Sequence, residues 1–543
     1  MLRRLLRHHA PLAACVALAV VAVGWAWNTR VAAGADAYGY VSQADLWLHG
    51  SLTIDQRFAA AAPWPFALWT FTPLGYRPDP KAYRIVPVYS AGLPLLMAAA
   101  KAVAGQCGVF AIVPLAGGVL VFATYWIGRR IGRPVVGLVA AWFVATSATM
   151  LYMLVQPMSD VPAAAAWAVA VALLVGDDRS SPRASSVQAA AAGLAAAIAI
   201  LIRPNLVPLA GIMLAWLVAR DCLFSRPVRP LRPTLFAVAA TAGAVFVAVI
   251  NARLYRSPLA SGYSDLSDAY ALAHVIPNFG HYVWWLVSAE TPFALVGFAC
   301  LAVPARRLWP TPDARGALWL FSPWAAVVWI SYLVYIVERA WWYLRFLLPA
   351  WPTMAIGLAS LLGALYRLPS TRARRTAIAV AVCVGLAGIV QAYSRSAFSM
   401  AAGDAKYVET ARVVDAISRP DDVIVTLQYS GSIRYYAGRL TLRWDVLEPH
   451  WIDTAIAWLE SRGHHAYILI EDPELPRFRG RFAAASAIGR LDWPPLVSFR
   501  HGAVRLYDPA HIDRHDPPVE QPALAGVRAC LAQRPSPVLR EAR

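Results

Sequence analysis

Asp36 and Tyr40 stand four residues apart, directly after the first apolar segment of the chain. On a helix, that spacing puts a carboxyl and a phenol on one face. A carboxylate so placed can accept the proton of an incoming hydroxyl. Ionisable groups beside a bilayer are costly and are usually functional or paired. Two blander readings stand beside this one: Asp36 caps the helix that begins near Tyr38, and Tyr40 merely packs. Asp45 lies about two and a half turns further on and would point the opposite way, so it reads as a surface or capping acid.

A second set of residues could hold a phosphate. Lys81, Arg84, Arg203 and Arg345, with Tyr343 beside the last, are cations and a phenol at the edges of apolar segments. Guanidinium matches phosphate geometry and stabilises a departing anion. Asp160 is a further candidate acid, although Asp before Val161 and Pro162 is also a common helix start. Lys81 and Arg84 could instead snorkel toward headgroups. Arg345 follows Trp341, Trp342 and Tyr343 and could be a cation–π anchor. Glu338 and Arg339 read as a structural pair and His49 as structural. His464 and His465 have no partners at metal-ligand spacing.

The elements that must position these residues are membrane helices. With 59% hydrophobic residues, 15% charged and 22 Trp in 543 residues, the composition is not that of a soluble globular protein. Apolar runs near 11–27, 107–127, 134–154, 161–175, 187–202, 206–219, 234–251, 292–304, 317–337, 350–366 and 376–393 approach the roughly 20 residues that cross a bilayer. The net charge of +18 does not point to nucleic acid, because the arginines gather in the short loops between alternate runs. Arg129, Arg130, Arg220, Arg229, Arg306, Arg374 and their neighbours then share a side with the N-terminus, as the positive-inside rule requires. Counting residues 87–105 as a span would reverse this, so they read as a juxtamembrane or re-entrant helix. Eleven spans result, with the N-terminus inside and the C-terminus outside. The basic start and the run to Trp27 could be a signal peptide; a retained anchor is the favoured reading. On this topology Asp36, Lys81, Arg84, Asp160, Arg203, Glu338, Arg339 and Arg345 all arrive at the outer face.

After Tyr393 the pattern changes to that of a soluble α/β domain. Helices are expected over 407–418, 430–438 and 451–462, and strands over 422–427, 465–470 and 504–507. No glycine-rich phosphate loop occurs. From Pro509 the chain reads as a loose, proline-rich tail. The six cysteines show no ligand spacing, so neither a metal site nor a disulfide framework is expected. The expected division is a transmembrane domain over 1–398, with its first outer loop at 29–106, an extracytoplasmic α/β domain over 399–508 and the tail over 509–543.

Four stretches in order carry a resemblance: the acid after the first span, Val86-Pro-Val-Tyr-Ser-Ala-Gly-Leu-Pro-Leu-Leu96, Gln156-Pro-Met-Ser-Asp-Val-Pro162 and Tyr343-Leu-Arg-Phe-Leu-Leu-Pro349. Over roughly residues 12–393 the chain resembles the GT-C superfamily of polytopic glycosyltransferases that use polyprenyl-phosphate carriers. Within it, the likeness is to the branch of the protein O-mannosyltransferases and the lipid A aminoarabinose transferase. The resemblance implies inverting transfer of a sugar from a polyprenyl-phosphate donor to a lipid, glycan or protein acceptor at the outer face of a bacterial-type inner (plasma) membrane. Asp36, with Asp160 and Tyr40, would be catalytic, and Lys81, Arg84, Arg203, Arg345 and Tyr343 would hold the lipid phosphate. Many relatives carry an adjacent acid pair in the first loop, whereas Ala37 follows Asp36; use of a divalent cation stays open, and no other cofactor is expected. The competing class is a transporter or flippase of a lipid-linked saccharide. Transporters often show internal repeats or broken helices near the membrane centre, and the sequence shows neither clearly.

Overall fold

The computed structural model describes residues 9–79, 81–175, 181–224, 228–263, 269–500, 502–513 and 515–521. It shows a polytopic α-helical membrane protein with a C-terminal sheet domain. The first helix, α1 (His9–Trp27), is followed by α2 (Asp36–Leu48) and a three-stranded antiparallel sheet, β1 (Ile54–Asp55), β2 (Tyr76–Asp79) and β3 (Arg84–Pro87), in the order β1-β3-β2. Then come α3 (Gly92–Ile131), α4 (Pro134–Thr146), α5 (Ala148–Leu154), α6 (Asp160–Leu174), α7 (Pro182–Ile202), α8 (Pro208–Val218), α9 (Leu231–Tyr255), α10 (Val275–Trp285), α11 (Phe293–Leu301), α12 (Pro312–Leu333), α13 (Trp351–Tyr366) and α14 (Thr371–Ser394).

Every apolar run expected to span is mostly helical, although the runs at 292–304 and 317–337 continue past the ends of their helices at Leu301 and Leu333. Among the described residues, eight helices are long and apolar enough to cross a membrane, and nine if the bent pair α4–α5 counts as one. The difference from eleven lies in α6, which is shorter, and in α11, which has only nine residues. Local chemistry sets several starts. Ser181, Ser370 and Thr311 each accept a hydrogen bond from the backbone N–H three residues on, and proline opens α4, α7, α8 and α12 where its missing N–H is harmless. The 59° bend between α4 and α5 falls at Ser147, whose hydroxyl donates to the buried Glu290 at 2.9 Å.

The stretch at 87–105 ends in a break inside α3. Ala104 and Gly105 leave the helical region, Gly105 with φ +64°, a conformation glycine adopts without strain. Gly92 packs on the backbone of Leu201 and Ile202, next to Arg203, while Lys101 pairs with Asp45 of α2. These contacts tie the piece before the break to the start of the Arg203 loop and to α2.

The C-terminal part opens with α15 (Met400–Ile417), and its six strands run in the order β5-β4-β6-β8-β7-β9. The expected β4 (Val423–Val425), β6 (Ala466–Glu471) and β8 (Val504–Tyr507) are joined by β5 (Leu440–Leu442), β7 (Val497–Phe499) and β9 (Val519–Gln521). The described start of the tail is thus not loose: β9 pairs in parallel with β7. The rest of the tail, from 522, lies outside the described residues. Cys107 is disulfide-bonded, against the expectation that no disulfide forms, while Cys15, Cys222, Cys300 and Cys383 are free.

This sheet domain shares its core with the long segment between α1 and α3. Tyr38, Trp64 and Phe71 from that segment are buried in one cluster with Trp444, Phe478 and Phe482. Polar bonds cross the same junction: Arg443 N–H donates to the Thr70 carbonyl at 2.6 Å, and Ala32 N–H to the Tyr436 hydroxyl at 2.7 Å. Asp45 belongs to this junction and is not a surface or capping acid. It is 1% exposed, ion-paired with Lys101, and accepts a hydrogen bond from Tyr435 at 3.1 Å. The helical spacing does turn it away from Asp36, but the side it faces is covered by the sheet domain.

Candidate active site

The site is built where helices end. Asp36 is the first residue of α2, and the residue before it, Ala35, makes no side-chain cap bond. Asp36 itself is turned to its neighbours: the Tyr89 hydroxyl donates to its Oδ1 at 2.5 Å, and Arg345 Nη2 donates to its Oδ2 at 3.3 Å. Tyr89 can come this close because Gly39 has no side chain; a Cβ there would lie 2.2 Å from the Tyr89 ring.

Arg345 joins Asp36 to a second ion pair. Its Nε lies 3.8 Å from Asp160 Oδ1, and Arg203 Nη2 donates to the same oxygen at 2.5 Å. Arg203 also bonds Ser159 through Nε at 3.2 Å and the Tyr332 hydroxyl through Nη1 at 3.2 Å. All three of its nitrogens are therefore engaged, and it braces Asp160. Phe346 lies under both guanidinium groups at 5.4 Å, and Tyr343 is 5.2 Å from that of Arg345. Exposure separates the two acids: the Asp36 side chain is 36% exposed and Asp160 1%. Two buried polar atoms have no hydrogen-bond partner, Arg345 Nε and Asp160 Oδ2. Such orphans are costly and mark where a polar ligand or water is missing from the count.

Of the residues singled out from sequence, Asp36, Asp160, Arg203, Arg345 and Tyr343 come together. Tyr40 lies in the same wall, its ring 4.6 Å from that of Tyr89, but its hydroxyl bonds Ser159 at 2.9 Å and not Asp36. Arg84 is elsewhere: it sits in β3, 4.0 Å from Asp79, an acid that also pairs with Arg256. Lys81 is exposed in the turn before β3. Arg345 is a cation–π partner as well as an ion-pair partner, so those two readings do not exclude each other. Glu338 turns to Tyr343 and not to Arg339; burial pushes its carboxyl above the ordinary range, with the Tyr343 hydrogen bond and Arg345 opposing. Tyr89, Ser159 and Tyr332 were not singled out. Tyr89 and Ser159 stand inside two of the quoted motifs, whereas Tyr332 lies in an apolar helix with nothing to mark it.

The donor set does not fit a metal ion. Among the described residues no three His, Cys, Asp or Glu side chains converge as ligands, and Asp36 and Asp160 both face guanidinium groups.

No protein-family model matches the sequence, and no curated protein matches it. Solved structures do. ArnT from Cupriavidus metallidurans bound to undecaprenyl phosphate aligns over 86% of this chain and 94% of its own, with a TM-score of 0.53 and 16% identity. The Archaeoglobus fulgidus oligosaccharyltransferase tethered to an acceptor peptide aligns over 88% and 71%, with a TM-score of 0.52 and 12% identity. The chain shares its fold with these two proteins. The same archaeal enzyme has also been solved with Zn and sulfate, and aligns at a TM-score of 0.50 and 10% identity. The aligned share exceeds what residues 12–393 alone would give, so the likeness reaches into the C-terminal domain.

Proposed function

We propose that this chain is a membrane glycosyltransferase that moves a sugar from a polyprenyl-phosphate donor to an acceptor. The observation that carries the reading is the part-exposed Asp36 carboxylate, 3.3 Å from a part-buried arginine whose Nε is buried without a hydrogen-bond partner. The fold it shares with a protein solved on undecaprenyl phosphate supports the same donor class.

In the reaction, the acceptor hydroxyl attacks the anomeric carbon of the donor sugar. Asp36 takes the hydroxyl proton, a new glycosidic bond forms, and the bond from the anomeric carbon to the phosphate oxygen breaks with inversion. The departing polyprenyl phosphate takes up negative charge, which Arg345 is placed to meet. The Arg345–Asp36 contact is long enough for a phosphate oxygen to replace it. Asp160 and Arg203 act from behind, holding Arg345 in position. Tyr343, Glu338 and Tyr40 line the wall, and Arg84 and Lys81 are left with a role at the rim. No step passes through a metal ion, because the donor set described above does not fit one.

The arginine asymmetry of the loops supports a topology with the N-terminus in the cytoplasm and the site and C-terminal domain outside, in a bacterial-type inner membrane. Donor binding tests the phosphate assignment. Arg345→Gln is expected to weaken binding of undecaprenyl phosphate by about tenfold to a hundredfold, the 1.5–3 kcal/mol of a charge-assisted hydrogen bond. Unchanged affinity in a folded Arg345→Gln protein would remove this arginine from the phosphate site.

A further inference from the structure

An apolar trough on the membrane surface plays no part in the proposed reaction. It runs between α1, the part of α3 after the break and the far half of α6, and encloses about 400 Å³. Leu18, Leu115, Val119 and Phe122 line it with side chains 36–67% exposed, so they face lipid and not the protein core. Gly118 lets α1 and α3 meet at its floor; a Cβ there would lie 2.6 Å from Val21. From Leu115 to Trp126 the helix rises about 16 Å, roughly half of the ~30 Å hydrocarbon thickness. The trough is therefore as long as one leaflet is deep.

Its position fixes which leaflet. Helix α6 begins at Asp160 in the site, and the trough uses Val169, Ala172 and Leu173 at the other end. The trough thus belongs to the leaflet away from the site. At that end Phe122 stacks on Trp126 at 6.4 Å, and Arg129 and Arg130 lie over the Trp126 ring at 5.1 and 5.2 Å. Arg130 also donates to the carbonyls of Ala172 and Val175, whereas Arg129 is exposed. Trp beside arginine at the end of an apolar helix sits at headgroup depth, and guanidinium favours phosphate there.

We propose that this trough is a binding site for an anionic diacyl phospholipid of that leaflet. One acyl chain fills the trough, and the headgroup phosphate rests on Arg129. The length matched to one leaflet and the cation at the headgroup end together select this occupant over a neutral lipid.

Native mass spectrometry of the full-length protein, titrated with phosphatidylglycerol and separately with phosphatidylcholine of equal chain length, reads the site directly. The wild type is expected to hold phosphatidylglycerol at least tenfold more tightly. Arg129→Gln should lose that preference, and Val119→Trp, which fills the trough from a half-exposed position, should lose phosphatidylglycerol itself by tenfold or more. Leu115→Trp is a second filling variant should Val119→Trp fail to fold, and melting curves show which variants are folded. Equal retention of the two lipids by the wild type would overturn the proposal, as would wild-type binding in the filled variants. Displacement of phosphatidylglycerol by an equal concentration of polyprenyl phosphate would give the trough to the donor's tail and overturn it too.

Discussion

Replacing Asp36 by Asn removes a charge while keeping the side chain's size and the oxygen that accepts the Tyr89 hydrogen bond. The structural cost follows from what Asp36 touches. As the first residue of α2 it gains about 0.3–1 kcal/mol from the helix dipole. Its pair with Arg345 is 3.3 Å long and the carboxylate is 36% exposed, so the pair contributes at most about 0.5 kcal/mol after screening. Arg345 keeps Asp160 as a partner, so no buried charge is stranded. The expected loss of stability is about 1 kcal/mol, with normal membrane insertion and donor binding. Loss of a general base lowers the rate by about two to four orders of magnitude, or about 3–5 kcal/mol of barrier. The assay follows release of sugar from undecaprenyl-phosphate-linked donors in membranes containing wild type or Asp36→Asn. Asp45→Asn makes the contrast: Asp45 is buried with Lys101, so its loss strands a part-buried cation and should cost about 2–3 kcal/mol of stability with little effect on turnover per folded molecule. Activity within tenfold of wild type in Asp36→Asn would refute the base assignment.

Two further outcomes concern the C-terminal domain. Burial pushes the Glu474 carboxyl up to about 7, helped by the nearby Glu471 charge and opposed by the Gln428 backbone N–H, and its Oε2 has no partner. A carboxyl raised in the folded state binds more protons there than when unfolded, so stability falls as pH rises from about 4.5 to 7. Glu474→Gln, which can still accept from Gln428, should raise Tm at pH 8 and show a shrinking gain toward pH 5; a gain that does not vary with pH would contradict this. Deleting residues from 400 onward should leave a protein that fails to fold, because the shared core would expose Tyr38, Trp64 and Phe71 to water. A stable, monodisperse truncation would show that this core is dispensable.

The membrane helices were legible in the sequence because apolar runs bounded by arginine, proline and capping hydroxyls are local signals. The break at 104–105 was not legible: the arginine loops argued only against a span over 87–105, and the kink rests on the backbone of Ala104 and Gly105. Asp36, Asp160, Arg203 and Arg345, which lie together in the structure, were singled out because charge at the edge of an apolar run is conspicuous. What could not be read was pairing. Asp45 and Arg84 are as conspicuous as Asp36, and only three-dimensional contact gives Asp45 to Lys101 and Arg84 to Asp79. Strands of three residues such as β5 and β7 carry too little periodicity to register, and the burial of Trp64 and Phe71 depends on a domain more than 300 residues away in the chain. Tyr89 needed Gly39 as its seat, a relation between two distant positions.

A structure of the full-length protein with undecaprenyl phosphate tests the central claim most directly. The account predicts the phosphate beside Asp36, with Arg345 nitrogens at about 2.7–2.9 Å from its oxygens and the Arg345–Asp36 contact lengthened. A phosphate held by Arg84 and Lys81 at the outer sheet, with Arg345 still on Asp36, would contradict it.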